Sequence, residues 1–79
     1  MKRGLSEIRF EELKGKSFEL VLVVEMLCEV CEKPLRMTER FLRRTQIFSR
    51  GDYQNLLDRA TVHDRAEVDI DDSKIYFYD

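Results

Sequence analysis

Seventy-nine residues, with 14 Lys and Arg against 16 Asp and Glu, give a formal charge of -2. A hydrophobic fraction of 43% beside a charged fraction of 38% fits one soluble globular domain over residues 1–79 and excludes a disordered chain. A chain this short buries only about 60% of its unfolded surface, so its core is small. Only 3 Gly and 1 Pro punctuate it, which favours helices and tight hairpins over a many-stranded sandwich.

The N-terminal segment sets Leu5, Ile8, Phe10 and Leu13 among charges before a break at Lys14-Gly15-Lys16. It reads as a short helix within an extension over 1–16, and as the expected element of a homodimer. Met1-Lys2-Arg3 is positive, but Ser6, Glu7, Arg9, Glu11 and Glu12 follow instead of an apolar run. No targeting segment is expected, and a cytoplasmic location follows.

Ser17 is suited to cap a central helix over Phe18 to Glu32. Glu25, Glu29 and Glu32 would share one face, with Val21, Leu22, Val24, Leu27, Cys28 and Cys31 filling the rest. The β-branched residues Val21, Val23 and Val24 fit a strand as the alternative. The apolar stretch from Leu20 to Leu27 is interrupted by Glu25 and is too short to span a bilayer. Pro34 ends the element.

Thr38 then caps a second, shorter helix with Glu39 in its first turn and Met37, Phe41 and Leu42 as its apolar residues. Gln46 to Ser49 reads as a turn that buries Ile47 and Phe48. A third helix begins near Ser49 or Asp52, where Tyr53, Leu56, Leu57 and Ala60 follow the i, i+3, i+4, i+7 spacing. It leaves Arg50, Gln54, Asn55, Asp58 and Arg59 facing outward. The period then changes: Ala66, Val68 and Ile70 alternate with acids, Asp71-Asp72-Ser73 supplies a turn, and Ile75 and Phe77 alternate with Tyr76 and Tyr78. This is a β-hairpin.

Between Lys33 and Arg50 the charge reverses. Lys33, Arg36, Arg40, Arg43, Arg44 and Arg50 stand against one acid, Glu39, in a chain whose flanks are acidic. Such an island marks the surface that meets a polyanion or an acidic partner, and arginine suits bidentate contact with phosphate or carboxylate.

Helix, helix, tight turn, helix and hairpin in that order resemble a winged helix-turn-helix from about Ser17 to Asp79. The stretches that carry it are the central helix up to Cys31, Met37 to Thr45, the helix around Tyr53-Gln54-Asn55-Leu56-Leu57, and the wing from Val68 to Phe77. The resemblance implies a mainly α fold with a C-terminal β-hairpin (α+β) and a small DNA-binding regulator of transcription, acting as a dimer on double-stranded DNA. It places the helix around Ser49 to Ala60 in the major groove, with Gln54 and Asn55 reading bases. Arg36, Arg40, Arg43, Arg44 and Arg50 would hold phosphates. Asp69, Asp71 and Asp72 put negative charge where such wings touch phosphate, which supports a rival class: an adaptor or inhibitor of the same fold, its arginines docked on an acidic protein.

Cys28 and Cys31 form a lone CxxC. A structural zinc site needs four ligands and only His63 remains to join them, while Pro34 is the only proline, so a thioredoxin-like reading has no candidate for that family's downstream cis-proline. Two small hydrophobes on the buried side of the central helix is the plainer assignment, with zinc or thiol chemistry as a third functional class. His63 has no nucleophile at a recognisable spacing. Neither an enzyme nor a cofactor is expected, and no membrane partner.

Overall fold

The computed structural model describes residues 1–27, 29–30 and 34–79. Its elements are β1 (Lys2–Gly4), a 3-10 turn (Leu5–Glu7), α1 (Phe10–Leu13), β2 (Lys16–Leu27), β3 (Pro34–Ile47), α2 (Arg50–Ala60), β4 (Arg65–Asp69) and β5 (Lys74–Tyr78). Five strands form one sheet in the order β1-β4-β5-β2-β3. The β2–β5 pairing is parallel and the others are antiparallel. The mainly α, winged-helix architecture is therefore overturned: the chain is mostly β.

Two of the three helices that define the winged-helix layout are strands. The segment from Phe18 to Glu32, read as the central helix, is strand over Lys16–Leu27, and Ser17 lies inside it with a buried hydroxyl that has no hydrogen-bond partner. Both faces of β2 are covered, which hides the alternation of a strand. Phe18 and Leu20 face the main core, while Val21 and Val23 pack with Tyr78 on the other side. The segment around Met37 to Thr45, read as the second helix, belongs to β3. Leu20 and Val21 pair with Arg43 and Phe41, and Val24 and Glu25 with Thr38 and Arg36, so Leu42 and Met37 are each an extra residue. Two bulges break the period of two and leave a spacing that imitates a helix. Pro34 opens a strand, a position that needs no N–H donor, instead of ending a helix.

The third helix and the hairpin form as their spacing predicts. Ser49 caps α2: its Oγ accepts from the Asp52 N–H at 3.2 Å, and Asp52 Oδ2 accepts from the N–H groups of Ser49 (3.0 Å) and Phe48 (2.9 Å). Ser49→Ala should lower stability by about 1 kcal/mol, read from the urea midpoint. The two backbone donors hold the Asp52 carboxyl below the usual carboxylate range. That contribution is therefore complete above the ordinary carboxylate pKa and is lost as pH falls through the lowered value. Asp52→Asn should flatten this part of the acid limb of a stability–pH curve.

One core joins the N-terminal segment, α2 and a single face of the sheet. Leu5, Ile8, Phe10 and Leu13 are buried there with Phe18, Leu20, Ile47, Leu56, Val68, Ile75 and Phe77. The apolar residues of 1–16 thus pack inside their own chain, and β1 adds to the sheet beside β4. The Tyr53 hydroxyl donates to the Ile8 carbonyl at 2.6 Å, tying α2 to this segment. Gly15 takes a φ of +78° where the chain turns into β2, with its N–H on the Ile47 carbonyl. Ile47 is fully buried, but Phe48 is 60% exposed and is not the core residue its apolar character predicts.

β5 ends its pairing at Val23, whereas β2 and β3 stay paired as far as Leu27 and Pro34. A two-stranded ribbon therefore runs about 13 Å beyond the body of the sheet. The molecule measures 47 × 21 × 21 Å. No helix among the described residues is long and apolar enough to cross a membrane.

Candidate nucleic-acid interface

Four of the six cations of the basic window fall on β3, so the pleat divides them between two faces. Arg44 pairs with Glu19 in register, on the face away from α2, and its Nη2 meets Glu19 Oε1 at 2.9 Å. Arg40 and Arg43 lie opposite Leu22 and Leu20, on the face that carries α2. Arg36 lies opposite Glu25 in the projecting ribbon. Arg50 starts α2, where its guanidinium lies 5.1 Å from the centre of the Phe10 ring and 3.3 Å from Glu11 Oε1. The basic island of the sequence is thus two separate sets of cations in space.

Neutralisation separates them further. Arg44 and Arg50 have carboxylate partners, as does Arg3, whose Nη1 lies 3.0 Å from Glu12 Oε1. Arg3 and the Arg9 N–H hold the Glu12 carboxyl below the usual range. Among the described residues the guanidinium groups of Arg40, Arg43 and Arg59 have no hydrogen-bond or ion-pair partner.

The two amides proposed to read bases also part company. Gln54 donates to Asp58 Oδ1 at 2.9 Å, one helical turn on. Asn55 faces β3 and lines a cleft of about 240 Å³ with Arg43, Thr45, Asp52 and Arg59, floored by Leu20 and Leu56. Arg59 and Thr45 are the cleft residues that sequence reasoning missed. The signal for Arg59 was present: positions 52, 55, 56 and 59 share one face of a helix. Thr45 had none, because its inward direction depends on the bulge at Leu42.

The acidic turn is partly neutralised from within. Asp69 is 8% exposed, accepts from the Asp72 N–H at 3.1 Å and lies 3.6 Å from the N-terminal ammonium, which also meets Asp71 at 3.3 Å. The Asp72 N–H is the main cause of a carboxyl held below its usual range. His63 bonds Asp79 through Nδ1 at 2.7 Å and stacks on Phe77. Cys28 and Cys31 lie outside the described residues. Among those described, no three His, Cys, Asp or Glu side chains gather to hold a metal ion.

The face away from α2 is aromatic, but its rings are capped by cations. Lys2 Nζ sits 4.1 Å from the centre of the Tyr76 ring, and the Arg65 guanidinium 4.2 Å from that of Tyr78. No protein-family model, curated protein or solved structure matches the chain.

Proposed function

We propose that this protein binds double-stranded DNA through the arginine-bearing edge strand β3, as a small regulator of transcription. The observation that carries it is the pair Arg40 and Arg43, exposed on one face of an edge strand without partners among the described residues, while neighbouring arginines are neutralised. Free guanidinium groups on an exposed edge strand suit contact with phosphates. Strands therefore take the role that the sequence assigned to the helix around Ser49 to Ala60. Lys2 and Arg65 cover the Tyr76 and Tyr78 rings, which removes these two from stacking with single-stranded bases.

Binding to random duplex DNA across a salt series tests this. The two phosphate contacts of Arg40 and Arg43 give a slope of about -1.8 in log affinity against log salt, or about a 12-fold loss between 50 and 200 mM. The double variant Arg40→Ala, Arg43→Ala should reduce that slope by about 1.8. No binding at low salt would sink the proposal, and an unchanged slope would remove β3 from it.

An acidic protein partner is the rival, and one observation favours it. β3 is an edge strand, and Phe41 and Leu42 are 66% and 40% exposed on it. A partner strand could add there, with acids opposite the arginines. Replacing Phe41 and Leu42 together by Ser would abolish such binding and leave the DNA salt slope intact.

A further inference from the structure

The geometry points to the cleft between α2 and β3 as a binding site for a single phosphate group. The site itself stands on the cleft's own residues; that the phosphate belongs to DNA rests on the function proposed above.

Four residues with donor side chains line the cleft from two elements. β3 supplies the Arg43 guanidinium and the Thr45 hydroxyl, and α2 supplies the Asn55 amide and the Arg59 guanidinium. Neither arginine has a partner among the described residues. The floor is Leu20, 1% exposed, and Leu56, 4% exposed. An apolar floor removes water from one side and strengthens the pull of the guanidinium groups on an anion. Two guanidinium groups offer the forked donors that a tetrahedral oxyanion takes up bidentately, and together they match a dianion better than a lone carboxylate.

Asp52 sets the number of phosphates. Among the described residues it is the sole carboxylate lining the cleft, and its Oδ2 is engaged by the N–H groups of Phe48 and Ser49. Those bonds keep it ionised, so it neither leaves nor neutralises. A second phosphate beside the first would meet this charge. The cleft therefore takes a monophosphate or one backbone phosphate, and rejects a di- or triphosphate. Its volume of about 240 Å³ holds the phosphate with part of its ester group.

Arg59 also lies in the last turn of α2, where a cation is favourable to the helix, so deletion alone would confound binding with stability. Arg59→Lys keeps the charge and removes the fork. The full chain is titrated with inorganic phosphate, with pyrophosphate and with random duplex DNA at fixed ionic strength, while the Asn55 side-chain amide is followed by NMR. Saturable phosphate binding that moves this amide is expected, with pyrophosphate weaker. Arg59→Lys should weaken phosphate binding about 10-fold without moving the urea midpoint, whereas Arg44→Ala, on the opposite face, should leave it unchanged.

If Arg59→Lys weakens phosphate and DNA together, the backbone is the source. Phosphate binding that responds to Arg59→Lys while DNA fails to bind at any salt keeps the cleft as a free-monophosphate site and overturns the DNA assignment. Two results overturn the cleft: phosphate that does not saturate, or binding indifferent to Arg59→Lys. DNA binding that persists in either case leaves the β3 surface standing.

Discussion

Phe77→Ala is expected to remove most of the stability of this protein. Phe77 is fully buried in β5, which pairs with β4 on one side and β2 on the other. Its side chain belongs to the main core and carries the stacked His63 ring 4.8 Å away. Truncating a buried Phe costs about 3–5 kcal/mol, because the transfer energy and the cavity add. A 79-residue domain has about 4–12 kcal/mol in all. The variant should therefore be largely unfolded at 37 °C or show a urea midpoint reduced by about half. Phe48→Ala, at a residue that is 60% exposed, should change the midpoint by no more than about 0.5 kcal/mol. A midpoint for Phe77→Ala close to the parent's would mean that the parallel β2–β5 seam is not the centre of the fold.

Where local pattern and tertiary demand agreed, the fold was legible. α2 has a cap, a clean apolar stripe and an outer polar face, so Tyr53, Leu56, Leu57 and Ala60 turn inward as their spacing requires. The hairpin is equally plain, with Ala66, Val68, Ile75 and Phe77 on the core side. β2 and β3 were illegible for opposite reasons. β2 is apolar on both faces, so no alternation survives. β3 does alternate, but Leu42 and Met37 interrupt the count. The parallel pairing of β5 with β2 joins residues more than 50 positions apart, and nothing local announces it.

Legibility of the site follows the same division. The sequence singled out Arg43 and Asn55, and the fold brings these two to one cleft. It could not foresee that Glu19, 25 residues away, would neutralise Arg44, or that Glu11, 39 residues away, would meet Arg50. Cation density in a sequence measures how much charge is present. How much is free depends on which strand brings an acid alongside.

Replacing Val21 and Val23 together by Ala gives the second large effect. Val21 is 1% exposed and Val23 fully buried, against Tyr78 and the half-buried Tyr76. Each replacement deletes two buried methyl groups, at about 0.8 kcal/mol for each CH2 equivalent plus a cavity contribution. The two residues share one face and one pair of tyrosines, so their costs are coupled and the pair should lose about 3–5 kcal/mol. On a helix the same change would gain about half a kcal/mol per position on an exposed face, since Ala is the better helix former. A urea midpoint reads the loss directly. Helical circular dichroism should not rise in the double variant, because α2 and its cap are untouched. The Lys2–Tyr76 and Arg65–Tyr78 contacts should loosen as the valines beneath those rings are cut back. The second hydrophobic cluster, small as it is, thus seats the two tyrosine rings that Lys2 and Arg65 cover.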